Sequence, residues 1–188
     1  MTLPARIALT LSLSLLLGAC QAYRPVADYD ASRDFAGYRT WAFKDPVLQY
    51  RPDDPRIRSD LTEQRIRQAV SEQLDQRGLR PAPAGSKADL DVQTWWIVDN
   101  RQQQIVSQPP LWGGYWGGGW GAPIYTETRT IDYKVATVQI DLLDGRDGKL
   151  VWRASAEHID NSGDAGPQQR SDTIRKSVAE VLSSYPPH

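Results

Sequence analysis

The chain has a single cysteine, Cys20, so no internal disulfide can form in any compartment. Histidine is almost as scarce, with only His158 and His188. His188 is the final residue, where chains fray. His158 falls at the end of a strand-like segment on its mainly apolar side, which suits a packed or edge histidine better than a catalytic base. No Gly-x-Ser-x-Gly elbow, His-Glu-x-x-His pair or Gly-Lys-Ser/Thr phosphate loop occurs. Lysine and arginine form no long run, and the formal net charge is -1. A nucleic-acid partner is thereby disfavoured, because phosphate backbones demand a concentrated basic face. The apolar stretch from Ile7 to Leu17 is too short to cross a bilayer, which takes about 20 residues of helix. What remains is ordinary for one folded domain, at 188 residues with 40% hydrophobic and 24% charged, apart from a surplus of tryptophan, seven in all.

The short apolar stretch follows Arg6 and fits the middle of a secretory signal peptide. It ends in Leu17-Gly18-Ala19-Cys20, which resembles a bacterial lipobox. Gly18 and Ala19 are small enough to pass a peptidase cleft, and a Cys20 thiolate is the nucleophile that would accept a diacylglyceryl group. The resemblance implies cleavage between Ala19 and Cys20 and acylation of the new amino terminus. Two or more acyl chains anchor stably where one is marginal. The competing reading is an ordinary signal peptide with an incidental cysteine. Gln21 follows the cysteine, whereas aspartate there would signal inner-membrane retention. The expectation is therefore an outer-membrane anchor with the protein facing the periplasm. Residues 1–19 read as signal peptide, 20–26 as a lipidated tether and 27–188 as one domain.

Within that domain, residues 28–30 and 35–43 suggest a first strand pair bent at Gly37, and three prolines make 45–58 a loop. Ser59 or Asp60 can cap a helix in which Ile66, Ala69, Val70 and Leu74 form one apolar stripe, with Gly78 just past its end. Residues 88–98 alternate as an antiparallel strand, with Leu90, Val92, Trp96 and Val98 on one side. The strand 124–143 changes phase between Val135 and Val138, which predicts a β-bulge near Ala136-Thr137. Two Asp-Gly pairs in 144–148 make a turn. The returning strand places Leu150, Trp152, Ala154 and Ala156 together, and a closing helix from Gln168 to Ser183 carries Ile174, Val178, Val181 and Leu182. The expected fold is α+β: an antiparallel β-sheet with two helices packed on one face.

Asp28-Tyr29-Asp30 with Phe35, Tyr38 and Trp41 resembles the opening of the lipoprotein family known as domain of unknown function 4136. Val138-Gln139-Ile140-Asp141-Leu142-Leu143-Asp144 and Leu150-Val151-Trp152-Arg153 are similar to that family's central hairpin, and Tyr185-Pro186-Pro187 to its close. Ala154 departs from the glycine common after the Trp-Arg pair; alanine also suits a crowded strand face. The resemblance implies a periplasm-facing lipoprotein and assigns no activity, cofactor or catalytic residue.

Residues 109–123 read Pro-Pro-Leu-Trp-Gly-Gly-Tyr-Trp-Gly-Gly-Gly-Trp-Gly-Ala-Pro. Trp112, Trp116 and Trp120 fall four apart, yet glycines that each cost about 1 kcal/mol in a helix argue for a loop. Trp112, Tyr115, Trp116 and Trp120 are candidate contacts for a protein partner, for sugar rings of peptidoglycan or another glycan, or for lipid headgroups. Alternatively the loop covers its own sheet or is inert. Asp28, Asp30 and Asp34 lack the ligand order of a calcium loop and read as turn residues. The leading expectation is non-enzymatic binding of an envelope protein or glycan, with no metal and no cofactor beyond lipid on Cys20. A purely structural lipoprotein comes second. Third is a carboxylate-dependent hydrolase, which would need a pair such as Asp141 and Glu157 brought into one cleft.

Overall fold

The computed structural model describes residues 27–107, 127–160 and 165–187. Six strands form one sheet in the order β1-β6-β5-β4-β2-β3. They are β1 (Asp28–Tyr29), β2 (Thr40–Arg51), β3 (Arg80–Pro81), β4 (Leu90–Ser107), β5 (Glu127–Asp144) and β6 (Leu150–Ile159). Two helices, α1 (Asp60–Gln76) and α2 (Pro167–Leu182), share one core with the sheet. The α+β class and the placement of both helices on one face agree with the sequence. The sheet, however, is mixed rather than antiparallel: β2 runs parallel to both β3 and β4. The chain leaves β2, passes through α1 and returns in the same direction, and such a crossover yields parallel neighbours.

Helix α1 starts where its chemistry allows. The Ser59 side chain accepts a hydrogen bond from the Thr62 amide at 3.3 Å, and Asp60 and Glu63 occupy the first turn. Gly78, at φ 85°, takes the left-handed conformation that lets the chain turn away. Ile66, Ala69, Val70 and Leu74 are buried as the stripe predicts, and Ile174, Val178, Val181 and Leu182 are buried on α2. Arg65 Nε donates to Ser171 Oγ at 3.0 Å near the start of both helices. Arg77 Nε donates to the carbonyls of Leu182, at 2.8 Å, and Tyr185, at 3.2 Å, near their ends. The helices therefore lie parallel, and Arg77 satisfies carbonyls that the end of α2 leaves open.

Three local expectations are corrected. The segment 28–43 does not fold as a strand pair of its own. Asp28 and Tyr29 pair with Arg153 and Trp152 of β6, and Phe35–Gly37 is a 3-10 turn capped by the Asp34 side chain. Residues 45–58 are not all loop, because β2 continues through Pro46 to Arg51. The register of β2 on β4 shifts between Phe43 and Leu48, so Pro46 lies where the ladder is already interrupted and its missing N–H removes no bond. The bulge expected at Ala136-Thr137 is absent. Pairing of β5 with β4 is continuous there, and the irregularity falls between Leu142 and Leu143 against β6. Val135 and Val138 project to opposite faces and both are buried, so the phase change marks a strand covered on both sides rather than a slip.

The turn at 144–148 is fixed by close approach. Gly148 has φ 71°, and Gly145 donates its amide to the Asp89 carbonyl at 2.8 Å. A Cβ on Gly145 would sit 1.9 Å from the Ala88 carbonyl oxygen, a backbone atom that cannot swing aside. Gly145→Ala should therefore cost about 3 kcal/mol, the upper end for overpacking. Urea denaturation followed by circular dichroism would measure it; a loss below about 0.5 kcal/mol would show that the turn yields freely.

Candidate functional site

The unusual feature of this sheet is how far β4 and β5 outrun their neighbours. They pair without interruption from Leu90↔Asp144 to Ser107↔Glu127. The last β2 partner of β4 is Arg51, opposite Ile97, and the last β6 partner of β5 is Ile159, opposite Val135. Beyond those rows, residues 100–107 and 127–134 form a two-stranded ribbon with no third strand among the described residues. At a rise of roughly 3.3 Å per residue the ribbon projects about 25 Å. Two-stranded ribbons are marginal alone; this one is tied to β6 by an Arg101–Glu157 ion pair at 2.8 Å. Ile105, Val106 and Ile131 on the ribbon and Ile159 at its base are exposed apolar residues. A groove of about 470 Å³ runs along its base, lined by Arg101, Gln103, Tyr133, Val135 and Ile159 among others.

The chain between Ser107 and Glu127 leaves from and returns to the ribbon's end, and it contains the Gly/Trp segment. Trp112, Tyr115, Trp116 and Trp120 lie outside the described residues, as do Ala19, Cys20 and His188. Signals for the ribbon itself were thin. The run Gln102-Gln103-Gln104 is polar and shows no amphipathic alternation, so only its pairing with 130–132 identifies it as strand.

The carboxylates offered as a possible catalytic pair, Asp141 and Glu157, are both occupied. Asp141 is buried on the face away from the helices. It accepts from Arg153 Nε and Nη2, both at 2.6 Å, from Trp95 Nε1 at 3.0 Å and from Gln139 Nε2 at 3.0 Å. Arg51 lies over the same Trp95 ring, 4.5 Å from its centroid. Glu157 is bound to Arg101 and sits opposite Thr137, two side-chain rows from Asp141 along β5. That spacing is about 13 Å at strand rise, so the two do not form a catalytic pair.

Asp30 accepts from Ser32 and Arg33, and Asp34 from the Ala36 amide, in keeping with turn roles. No cluster of three His, Cys, Asp or Glu side chains that could hold a metal occurs among the described residues. His158 stands edge-on to Trp96 with ring centroids 5.7 Å apart, and its Nδ1 is 3.4 Å from Ser177 Oγ. Burial pushes its pKa below the ordinary histidine value.

A second cluster, missed from sequence, secures the β5–β6 turn. The Asp144 side chain is fully buried and accepts from Tyr38 Oη at 2.9 Å, Arg33 Nη1 at 3.0 Å and Arg146 Nη2 at 2.9 Å. Arg146 Nε and its amide complete the set at 3.1 and 2.8 Å. Arg33 also spans to Asp30 and Asp147. Hydrogen bonds from the Arg146 side chain, and then from its amide and Tyr38, hold the Asp144 carboxyl far below the usual carboxylate range. These partners come from segments over a hundred residues apart, so nothing local advertises them.

Two parallel helices against a six-stranded mixed sheet, with a long central hairpin, define an α+β domain without a recognisable catalytic centre among the described residues. The chain belongs to DUF4136, a family defined as a domain of unknown function, whose profile matches residues 25–187. A DUF4136 family protein from Bacteroides thetaiotaomicron is similar at 20% identity and a TM-score of 0.49, over 89% of this chain and 97% of that one. A lipoprotein from Neisseria meningitidis is similar at 11% identity and a TM-score of 0.38, over 78% of this chain and 99% of that one. A PDZ domain protein from Parabacteroides distasonis is similar in fold, at 17% identity and a TM-score of 0.51 over 86% of this chain. This chain spans about a third of that protein, 35% of its length. Comparison with curated protein sequences returns no match. No helix among the described residues is long and apolar enough to cross a membrane, which says nothing of strands.

Proposed function

We propose that this protein is a lipid-anchored component of the bacterial envelope that binds a partner and catalyses nothing. Cys20 carries the lipid, the outer membrane holds the anchor, and the domain faces the periplasm. The ribbon of β4 and β5 presents Trp112, Tyr115, Trp116 and Trp120 to an envelope protein or glycan. The observation that supports this most is the ribbon itself. A strand pair that continues about 25 Å past its sheet buries little, yet the chain places its densest group of aromatic residues beyond it. Aromatic rings supply large contact area at low entropic cost, which suits a binding tip.

Replacing Trp112, Trp116 and Trp120 together by alanine should abolish photo-crosslinks formed in cells from position 115, or pelleting with isolated peptidoglycan. The melting temperature of the variant, measured alongside, separates a lost contact from a lost fold. Crosslinking and pelleting that both persist at the wild-type level would favour a purely structural lipoprotein instead.

A further inference from the structure

On the helix side of the sheet a cleft of about 380 Å³ opens between the start of α1, the start of α2, the middle of β4 and β5 and the end of β6. Its size falls in the range of small-molecule sites. Trp96, Val98 and Ile174 give it an apolar floor, and Trp96 is held on edge against His158. Thr62, Gln169 and Thr173 put hydrogen-bonding groups on its walls. Its charge is mainly positive: Arg56, Arg58, Arg65, Lys134 and Arg170 line it, against Asp160. Arg56 and Arg58 are engaged by Asp54 and Asp53, outside the lining. Arg65 is held by the neutral Ser171 hydroxyl, and Lys134 has no carboxylate in direct contact among the described residues, Asp54 acting on it only through space. An aromatic ring, polar walls and two cations without a carboxylate in contact thus converge on one cavity.

We propose that this cleft binds an acidic sugar, a pyranose ring bearing a carboxylate. The ring would lie against Trp96 with its hydroxyls on Thr62, Gln169 and Thr173, and the carboxylate would meet Arg65 and Lys134. Charge-assisted bonds of that kind are the strong ones in such sites. An acyl chain fits less well, because it would leave the threonine and glutamine groups without partners. The cleft is tested by variants at Arg65 and Lys134 and the ribbon reading by variants at Trp112, Trp116 and Trp120, so each reading can fail alone.

The test is calorimetric titration of the mature lipidated chain, in a detergent without sugar, with trigalacturonate and with its neutral counterpart galactotriose. The acidic trimer should bind at least tenfold tighter than the neutral one. Lys134→Gln, at an exposed position, and Arg65→Gln should each weaken it about tenfold, with the far-ultraviolet dichroism of each variant checked first. Should Arg65→Gln unfold, Lys134→Gln alone decides. Equal binding of both trimers, no binding of either, or affinity unmoved by Lys134→Gln would overturn the proposal. So would binding of phosphatidylglycerol vesicles, but not of the acidic trimer, lost on Lys134→Gln, since it would assign the cleft to lipid headgroups.

Discussion

Asp144→Ala should destabilise the domain by about 3 kcal/mol at pH 7, the loss expected when one member of a buried ion-pair cluster is removed. The carboxylate has no solvent access and five donors converge on it, so its removal leaves Arg33, Arg146 and Tyr38 facing a hole. The effect should depend on pH in a defined direction. Because the folded pKa lies far below the unfolded value of about 3.9, the stabilisation is complete above that value and is lost as pH falls below it. Asp89 adds to the same slope, its pKa lowered by hydrogen bonds from the Arg39 and Thr40 amides and the Thr40 hydroxyl. Urea melts at pH 7 and pH 3 would therefore show the gap between wild type and Asp144→Ala narrowing in acid. A gap that stays constant would mean the contribution is packing rather than charge.

Cys20→Ser should move the protein from the membrane to the soluble fraction almost completely, and it should abolish incorporation of labelled palmitate. Serine lacks the thiolate chemistry that accepts a diacylglyceryl group, and without two acyl chains nothing proposed here retains the domain on a bilayer. Fractionation of cells after spheroplasting reads the outcome directly. A variant that stays with the membrane, or a wild type that takes up no label, would remove the anchor from this account. The ribbon and the cleft would remain as described.

The helices were the most legible part of the fold. Their stripes, the Ser59 cap and Gly78 are local signals, and a 3.6-residue period survives without knowledge of neighbours. Strand β6 was also readable, because Trp152, Ala154 and Ala156 alternate with Arg153, Ser155 and Glu157. Strand direction was not. That β2 lies parallel to β4 depends on a crossover through α1, and no residue in β2 encodes it. Pro46 pointed to a loop because its conformational cost was visible while the compensating irregularity in the pairing was not. The change of phase at Val135 and Val138 misled for a related reason: one strand with two covered faces looks, in one dimension, like a slipped strand with one. Of the sites, only those carried by residue type could be proposed from sequence. Arg65 and Lys134 come to line one cleft through folding alone, and their neighbours in the chain give no hint of it.

The antiparallel pairing of β1 with β6 sets where the chain enters the domain. Asp28 stands level with Arg153 and, one strand further, with Asp141. From Asp141 to Glu127, β5 runs about 45 Å, so the entry point and the hairpin's outer end lie at opposite extremes of the longest strand. Residues 20–26 add a leader that spans at most about 24 Å. A lipidated Cys20 would then let the outer end sweep a shell up to roughly 70 Å from its bilayer, a range set by strand length and adjustable by shortening β4 and β5 in step.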